Sequence, residues 1–363
     1  MKLNVKKLAI KLLITALALL LFVAGYYVVY LYCGYQRIPD ERWISAEEKT
    51  EELLPVNEEL TLVTYNIGFG AYSDDFSFFM DGGEHSRALS KQAVEANMSG
   101  IIDTLTKAEP DLLLLQEVDI KGTRSYGVDQ NAMLIEEFDE YESITAVNYD
   151  SPYYLYPLRE PIGKNKSCIM TLSRFSIVNA TRYSLPVESS LYRYLDLDRA
   201  YSITRMYTDS GKVLSLFNLH LSAYTADGRI ADEQLEILLA AMTAEYEKGN
   251  YVIAAGDFNK DLLGDSSKYF ERREEDYAWA KPIDTWLIPE SMTLYATSNA
   301  PSCRNADSPY KGDGTDFVLT IDGMITSKDV KVVSSETIDT GFKYSDHNPV
   351  KYTIILEAPD SQE

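Results

Sequence analysis

The stretch Tyr251-Val252-Ile253-Ala254-Ala255-Gly256-Asp257-Phe258-Asn259 sets a run of five apolar residues directly before a polar turn. An apolar run of this length, bounded by glycine, predicts a short strand that is buried on both faces. Because such a strand is rigid, Asp257 and Asn259 at its end are well placed for a preorganised site. The stretch therefore predicts an enzyme with its site at the edge of a sheet.

Two of the three histidines occupy similar positions. His220 lies in Asn218-Leu219-His220-Leu221-Ser222, after an apolar run, and His347 lies in Ser345-Asp346-His347-Asn348-Pro349, before the last apolar segment. A rare, titratable side chain placed twice where a strand meets a loop favours catalysis. The third, His85, follows two glycines and is predicted to be a solvated loop residue.

Further polar residues adjoin apolar runs. Asn66 follows Leu62–Tyr65, Glu117 follows Leu112–Gln116, and Asp322 precedes Gly323–Ile325. If Glu117, Asp257, Asp322 and Asp346 converge in one cleft, each pair repels by about 4 kcal/mol at 4 Å and an effective dielectric of 20. Only a cation or protonation relieves such crowding, and oxygen ligands favour Mg²⁺, or Mn²⁺ or Ca²⁺, over zinc.

The order of elements predicts one large α/β domain over residues 60–357, followed by a short tail, 358–363. Apolar residues at helical spacing predict helices over Ala88–Ala108 and Ile230–Tyr246. The predicted strands are Leu60–Tyr65, Asp111–Gln116, Ser167–Leu172, Ser176–Arg182, Ala200–Tyr207, Val213–Leu219, Tyr251–Ala255, Asp316–Leu319, Asp322–Ile325 and Val350–Leu356. Many strands with few helices predict sheets packed together and covered by helices.

The N-terminus predicts a membrane anchor. Residues Leu12–Cys33 are uncharged, and 22 residues make about 33 Å of helix, enough to cross a bilayer. Four lysines precede the run and tyrosines cluster at its end, which favours a cytoplasmic N-terminus and an extracytoplasmic domain. The alternative is a cleaved signal peptide, for which the run is long and its tyrosines are bulky. We expect a cytoplasmic stub and anchor in residues 1–35 and an acidic linker, with room for a short helix, in 36–59.

The net charge limits the class of partner. Residues 34–363 carry 30 basic and 56 acidic side chains, a formal charge of −26. Such a surface repels polyanions and argues against avid, non-specific binding of nucleic acid, although catalysis on it stays open. A local patch of basic residues at Arg159, Lys164 and Lys166 could still bind phosphate groups on this otherwise acidic surface. The three cysteines are too few for a disulfide scaffold, and both a Cys168–Cys303 bridge and two separate buried thiols remain open.

Five blocks in order resemble the endonuclease/exonuclease/phosphatase superfamily, which includes deoxyribonuclease I, apurinic endonucleases, neutral sphingomyelinases and inositol-phosphate 5-phosphatases. The blocks are Thr64-Tyr65-Asn66, Leu115-Gln116-Glu117-Val118, Asn218-Leu219-His220, Gly256-Asp257-Phe258-Asn259 and Ser345-Asp346-His347-Asn348-Pro349. The resemblance implies a four-layer α/β/β/α sandwich, which follows the N-terminal transmembrane helix predicted above. It also implies hydrolysis of a phosphate ester with a divalent cation, usually Mg²⁺.

The resemblance also implies roles for single residues. Glu117 would bind the metal, with Asn66 and Asp346 assisting. Asp257 would orient or deprotonate the attacking water, and Asn259 would hold the phosphate. His220 and His347 would stabilise the phosphoryl or leaving oxygen, with Asp322 orienting His347.

Other residues are weaker candidates for contact with the substrate. Glu160, in Arg159-Glu160-Pro161-Ile162-Gly163-Lys164-Asn165, resembles the glutamate that pairs with the first catalytic histidine of deoxyribonuclease I, although a simple turn is the alternative. Arg124 and Tyr126 follow the Glu117 strand and could reach the substrate. Arg199 and Arg205 flank a strand, where a surface salt bridge is the ordinary role.

The sequence thus predicts a membrane-anchored, metal-dependent phosphoesterase acting outside the cytoplasm, with phospholipid or lipid-linked phosphate favoured as substrate. The alternatives are an extracellular nuclease acting on DNA or RNA and a non-catalytic surface module. Nothing predicts an obligate protein partner. Loops near Phe76–His85, Glu188–Asp198 and Glu290–Gly314 are expected to set specificity.

Overall fold

Two mixed β-sheets pack face to face in the structure, a computed structural model that describes residues 5–34, 37–187, 198–223, 229–273 and 280–358. The helices are α1 (Val5–Gly34), α2 (Lys91–Ala108), α3 (Gln130–Glu137) and α4 (Arg229–Glu247). The strands are β1 (Arg42–Ile44), β2 (Glu59–Asn66), β3 (Leu112–Asp119), β4 (Glu142–Asp150), β5 (Lys166–Ser173), β6 (Asn179–Ser184), β7 (Ala200–Tyr207), β8 (Val213–His220), β9 (Tyr251–Asp257), β10 (Met292–Tyr295), β11 (Cys303–Arg304), β12 (Val318–Leu319), β13 (Asp322–Ser327), β14 (Val330–Thr337) and β15 (Val350–Leu356).

The strand order explains how distant segments meet. One sheet has seven strands in the order β1-β6-β7-β8-β9-β13-β10, and the other has six in the order β14-β15-β2-β3-β5-β4. In the first, β8 and β9 pair in parallel, as do β2 and β3 in the second, while the other pairs in both sheets are antiparallel. Strands β11 and β12 form a separate two-stranded ribbon.

Three apolar clusters give the fold its four layers. Between the sheets, Leu62 and Leu114 of the six-stranded sheet pack with Leu216 and Ile253 of the seven-stranded sheet. On the outer face of the six-stranded sheet, α2 and α3 pack against β2, β3 and β5, and α4 packs against β8 and β9 on the outer face of the other sheet. The fold is therefore the α/β/β/α sandwich that the sequence predicts.

The predicted elements agree with the structure except at a few boundaries. The helices predicted over Ala88–Ala108 and Ile230–Tyr246 are α2 and α4, and α2 begins after Ser90, whose side chain accepts from the Ala93 amide. The strand predicted over Ser176–Arg182 begins at Asn179 instead, because Ser173–Ile177 forms a turn held by Ser173 Oγ and Glu142. The strand predicted over Asp316–Leu319 is only the two residues of β12.

Helix α1 is long and apolar enough to cross a membrane, by its length and composition, and its apolar window has none of its surface buried in the protein. A signal sequence would pass the same test. After Lys11, apolar residues lie on every side of the helix, which is the pattern of a helix buried in a protein core or in a membrane.

Part of the segment predicted as a linker, 36–59, packs on the domain. Strand β1 pairs with β6 at the edge of the seven-stranded sheet, and Ile38 and Leu54 are buried. The short helix considered for this segment is absent from its described residues. The apolar side chains of Ile38 and Leu54 are the physical reason for this packing, because burying each is more favourable than leaving it in water.

Candidate active site

Strand register places three of the predicted site residues side by side. His220 at the end of β8 pairs with Asp257 at the end of β9, and Asp257 pairs with Asp322 at the start of β13. All three side chains are buried. The parallel pairing of β8 with β9 and the antiparallel pairing of β9 with β13 bring these termini to one end of the sheet.

Gly256 allows this close approach. A Cβ atom at Gly256 would lie 2.2 Å from the carbonyl oxygen of Leu219, and the residue has a φ of 151°. Any side chain there would force β8 and β9 apart and separate His220 from Asp257. The glycine before Asp257 is therefore required by packing at the site.

Glu117 is directed into the site by an irregularity in β3. The pairing of β3 with β5 shifts register between Leu115 and Val118, and Glu117 has a φ of 55°. A bulge of this kind re-aims a side chain, and a non-glycine residue in the left-handed region is strained. The Glu117 carboxylate lies 3.8 Å from His220 Nε2 and is the most open of the site carboxylates that form such a contact, with 20% of its side chain exposed.

Asn66 at the end of β2 joins the two carboxylates. Its Nδ2 donates to Asp257 Oδ2 at 3.0 Å and to Glu117 Oε1 at 3.4 Å, while its Oδ1 accepts from the Gly68 amide. In this arrangement Asn66 positions both carboxylates with its amide nitrogen. Its side-chain oxygen accepts from the Gly68 amide with one of its two lone pairs, which leaves the other for a cation.

The two sheets are connected by a polar contact next to the site. Gln116 Nε2 donates to Asn218 Oδ1 at 2.8 Å, and Asn218 Nδ2 donates to the Met170 carbonyl at 2.9 Å. Gln116 and Asn218 are completely buried, and each lies within two residues of a site residue, Glu117 or His220. A buried polar network specifies one arrangement of the packed elements, so these amides fix the two halves of the site relative to each other.

Asp322 and His347 form the closest acid–base pair of the site. His347 Nδ1 lies 2.8 Å from Asp322 Oδ2, which also accepts from Ser302 Oγ at 2.7 Å. The Asp322 charge raises the pKa of His347 well above its ordinary value, against the opposing effect of burial. His347 is therefore a buried imidazolium at neutral pH, and its Nε2 lies 3.9 Å from Asp257 Oδ2.

His220 has the opposite electrostatics. Burial, together with the positive charges of Arg199, His347 and Arg124, lowers its pKa well below the ordinary value, so it is neutral at pH 7. Its Nε2 lies 3.5 Å from Asp257 Oδ2, and its Nδ1 is buried without a hydrogen-bond partner among the described residues. The two histidines thus differ in charge because only His347 is hydrogen-bonded to a carboxylate, at 2.8 Å.

Two carboxyls of the site hold their protons more tightly than usual. Burial raises the pKa of Asp257 to about 7, although His347, Asn66 and the Asn259 amide oppose the shift. Burial raises the pKa of Asp346 to about 6, with the Glu117 charge adding to the effect. Both shifts reflect carboxylates crowded in a dry cleft without enough positive charge.

The site carries positive charge on two arginines. Arg199 is buried beside His220, and its Nη1 donates to the Leu221 carbonyl at 2.9 Å. Arg124 Nη2 pairs with Asp119 Oδ1 at 2.8 Å, and its guanidinium stacks 3.8 Å from the Phe69 ring centroid. Arg199 is buried rather than at the surface, and its contact with the substrate stays a prediction, whereas Arg205, further along β7, forms an ion pair with Glu245 at 2.7 Å.

Asn259 lies in the site in the left-handed conformation that such turns favour. Its backbone amide donates to Asp257 Oδ1 at 2.8 Å, and its Nδ2 donates to the Leu221 carbonyl. The first contact holds the Asp257 side chain in place. The Asn259 side-chain oxygen has no hydrogen bond to any residue that the structure describes, so it is available to accept from a ligand's donor group.

Three predicted residues lie away from this centre. Glu160 does not pair with His220, because its carboxylate accepts from the Ser86 amide at 2.8 Å in a loop contact. Tyr126 is 40% exposed on the turn after β3, with no contact to the histidines. His85 packs against Phe76 and is not fully solvated. Of the loop Glu188–Asp198, residues 188–197 lie outside the described part of the chain.

Two site neighbours escaped the sequence analysis. Ser302 Oγ fixes Asp322 and accepts from the Ile321 and Asp322 amides, and Cys303 Sγ lies 3.6 Å from His347 Nε2. Both belong to a loop and the short strand β11, where no apolar periodicity marks a buried position. Cys303 and Cys168 are buried free thiols, so the bridge between them does not form, and Cys33 is also free.

Comparison with known proteins agrees with this geometry. The family model for the endonuclease/exonuclease/phosphatase family matches residues 63–347, a span that includes all of the clustered residues above. No curated protein sequence matches the chain.

Solved structures resemble the fold at low sequence identity. An endonuclease/exonuclease/phosphatase from Beutenbergia cavernae DSM 12333 is 18% identical with a TM-score of 0.59, covering 84% of this chain and 74% of that one. ANGEL2, a 2′,3′-cyclic phosphatase in complex with adenosine-2′,3′-vanadate, is 15% identical with a TM-score of 0.54, covering 88% and 100%. D. rerio TDP2 in complex with a single-strand DNA product is 13% identical with a TM-score of 0.52, covering 82% and 99%.

Proposed function

Because the chain belongs to the endonuclease/exonuclease/phosphatase family, and is a hydrolase of phosphoric esters, we propose that it is a membrane-anchored, divalent-metal-dependent phosphoesterase acting outside the cytoplasm. The observation that carries this proposal is the single cluster formed by Asn66, Glu117, His220, Asp257, Asp322 and His347. Acids, a neutral histidine and a charged histidine within one buried group supply what ester hydrolysis requires.

Asp257 is the group that accepts the proton of the attacking water. Its Oδ1 is held by the Asn259 amide and its Oδ2 by Asn66, so its position is fixed before the substrate arrives. A base with a pKa of about 7 is well matched to proton transfer near neutral pH. Orienting the base in advance lowers the barrier without any rearrangement during the reaction.

His347 stabilises the negative charge that develops on the phosphoryl or leaving oxygen. It stays protonated because Asp322 holds its Nδ1, and its Nε2–H, which lies 3.6 Å from Cys303 Sγ and 3.9 Å from Asp257 Oδ2, is the charged donor for that oxygen. His220, neutral, donates an uncharged hydrogen bond from Nε2. Arg199 and Arg124 add positive charge near His220, and this charge would hold an anionic substrate in an otherwise acidic protein.

The donor set fits a hard divalent cation. Glu117 and Asp346 lie close enough for the Glu117 charge to raise the Asp346 pKa, and Asp322 Oδ1 is buried without a hydrogen-bond partner among the described residues. The carboxylate oxygens of Asp257 and Asp322 lie within 4.8 Å of each other and of a His347 ring nitrogen. Glu117 and Asp346 would hold Mg²⁺, with Mn²⁺ and Ca²⁺ as alternatives, and the bound cation would offset phosphate charge.

The hydrophobic helix supports a substrate at or near a membrane. Helix α1 can span a bilayer, and the lysines before it favour a cytoplasmic N-terminus. A catalytic domain tethered next to lipid meets phospholipids or lipid-linked phosphates at high local concentration. The acidic surface disfavours avid binding of a polyanion, so we favour a lipid phosphate ester as the substrate.

A nuclease or nucleotide esterase is the second candidate. The solved relatives include a protein described as a 2′,3′-cyclic phosphatase and one in complex with single-strand DNA, so this fold accommodates nucleic-acid esters. The buried Arg199 and the stacked Arg124 could bind a phosphate of either class. A binding module without catalysis is the third candidate, and it would have no need of the Asp322–His347 pair.

A parallel substrate panel tests the proposal. The full chain in detergent is supplied with Mg²⁺ and offered sphingomyelin, phosphoinositides, plasmid DNA, RNA, nucleotides and a soluble phosphodiester. We expect turnover of a lipid phosphate that is lost with chelator. Cleavage of nucleic acid alone would overturn the preference for lipid, and no turnover of any ester by the folded protein would favour the binding module.

A further inference from the structure

The end of helix α1 contacts one loop of the catalytic domain. Tyr27 Oη accepts from the Leu155 amide at 2.8 Å and donates to the Tyr153 carbonyl at 3.1 Å, and Tyr30 Oη accepts from the Tyr153 amide at 3.0 Å. A Cβ atom at Gly34 would lie 3.1 Å from Pro152 Cβ. We call residues 152–158 the juxtamembrane loop.

The connection between helix and domain is short. Helix α1 ends at Gly34, and the chain is already attached to the domain at Arg37, which donates to the Leu185 carbonyl. Ile38 is buried and Asp40 Oδ1 accepts from the Ser184 amide at 2.6 Å. Three residue steps span at most about 11 Å, so the domain cannot move far from the end of the helix.

The surface of the juxtamembrane loop has the chemistry of a bilayer interface. Leu158 is 85% exposed, Tyr156 is 62% exposed, and Leu155 and Tyr153 are also exposed. Basic side chains beside the loop, Arg159, Lys164 and Lys166, are exposed as well. Tyrosine and leucine favour the boundary between headgroups and acyl chains, and lysine and arginine attract lipid phosphates.

We propose that the juxtamembrane loop rests in the outer interface of the bilayer and docks the rim of the active site on the membrane surface. This inference rests on the membrane anchor of the proposed function. The occupant of the surface is lipid, because the tether holds the loop beside the segment that spans the membrane. A free apolar surface of this kind on an acidic, extracytoplasmic domain is otherwise costly to leave in water.

The residues that follow the juxtamembrane loop are hydrogen-bonded to the segment that leads into the active site. The Arg124 amide donates to Asn165 Oδ1 at 2.9 Å, and the Thr123 amide donates to the Lys164 carbonyl at 2.9 Å. Strand β5 begins at Lys166, and Ser167 pairs with Asp119, two residues beyond Glu117. The segment that touches the membrane is therefore continuous with the segment that places Arg124 beside the site.

A depth measurement on the full chain tests the docking without needing turnover. Leu158→Cys in a Cys33→Ser background is labelled with an environment-sensitive fluorophore and reconstituted in vesicles of phosphatidylcholine and phosphatidylglycerol. Cys168 and Cys303 are buried and stay unlabelled. The matched control is Val333→Cys, an exposed apolar position on β14, at the opposite edge of the same sheet from β4.

We expect blue-shifted emission and quenching by nitroxide lipids at position 158, and neither at 333. Equal solvent exposure at both positions would overturn the docking. A blue shift without lipid quenching would assign the surface to a protein partner or a second copy, and would also overturn it. Extraction of the vesicles with alkaline carbonate separates a failed anchor, in which the whole chain is released, from a failed docking, in which it is retained.

A second variant links docking to substrate. Leu158→Glu should reduce hydrolysis of a vesicle lipid by roughly tenfold, because a charge cannot enter the acyl boundary, and leave a soluble phosphodiester unaffected. Equal effects on both substrates would contradict the role of the loop. If no ester is hydrolysed but position 158 is quenched by lipid, the docking stands and the proposed activity fails.

Discussion

His347 Nδ1 lies 2.8 Å from Asp322 Oδ2 in a fully buried pair, and the pair gives His347 a charge that His220 lacks. Burial alone would leave both imidazoles neutral, as it does at His220. The neighbouring carboxylate reverses that outcome at one of the two positions. The difference between the histidines is the feature from which the chemistry follows.

Asp322→Asn tests this pair. The amide keeps the size of the side chain but removes the charge that holds the His347 proton, so kcat should fall by about 10²- to 10⁴-fold. As the pH is raised, the variant should lose activity at a lower pH than the wild type, because the pKa of His347 falls once the Asp322 charge is gone. The control is Asp313→Asn at an exposed position. A folded Asp322→Asn protein with near wild-type kcat would contradict the assignment.

Glu117→Gln tests the cation site. Replacing the strained, partly exposed carboxylate should weaken Mg²⁺ binding by roughly 10- to 100-fold and abolish the thermal stabilisation that Mg²⁺ gives. Thermal shift across a Mg²⁺ titration measures this directly. Glu136→Gln, on the exposed face of α3, is the control and should bind as the wild type does. Unchanged Mg²⁺ stabilisation in Glu117→Gln would rule Glu117 out as a ligand.

Cation binding should depend on pH because ionisation of Asp257 and Asp346 adds negative charge at the cation site. The folded pKa values of Asp257, about 7, and Asp346, about 6, lie above the ordinary value, so low pH favours the metal-free fold. As the pH rises through these values, ionisation destabilises that fold and a cation restores it. Mg²⁺ should therefore raise Tm far more at pH 8 than at pH 5.

Asp257→Asn provides the control for this pH dependence. Because it cannot ionise, the variant should show a flatter dependence of the Mg²⁺-induced shift in Tm between pH 5 and pH 8. A shift that is equal at both pH values in the wild type, or larger at pH 5, would show that ionisation of these carboxylates does not favour cation binding.

Arg199 and Arg205 make a matched pair on either end of β7. Arg199 lies beside His220, so Arg199→Met should reduce kcat/KM by about 10²-fold with a modest change in Tm. Arg205 pairs with the buried Glu245, which keeps its contacts with Lys248 and Ser215, so Arg205→Met should lower the free energy of unfolding by about 1–3 kcal/mol and leave kcat/KM unchanged. Steady-state kinetics with thermal melts distinguishes the two. A loss of kcat/KM in Arg205→Met but not in Arg199→Met would show that the substrate does not bind beside Arg199.

The interior of both sheets could be predicted from the sequence, whereas their edges could not. The interior strands, such as β7 and β15, carry enough buried apolar residues to show as continuous or alternating runs. The four strands that the sequence analysis missed in the two sheets are the edge strands β1, β10, β4 and β14. Strand β14 is mostly exposed and buries too little surface to leave a pattern, whereas β4 alternates buried and half-buried residues and was missed in spite of that pattern.

The site residues also divide into those that could be predicted from the sequence and those that could not. Residues at the ends of buried strands, such as Asp257 and His220, could be predicted because a rigid apolar run precedes them. The pairing of Glu160 with His220 was wrong because a short loop similarity does not fix where a side chain points. The pattern of charges along β7 does not show that Arg199 is the buried arginine, and its contact with the substrate stays a prediction. Contacts made by loops, such as Ser302 with Asp322, depend on tertiary structure alone.

Hydrolysis of a soluble phosphodiester by the full chain, with Mg²⁺ and then with excess chelator, measures the central claim most directly. We predict that turnover is lost with chelator, returns when Mg²⁺ is restored, and is absent from folded His347→Ala. Turnover that survives chelation, or that His347→Ala retains, would contradict a metal-assisted site built on Glu117, Asp257 and His347.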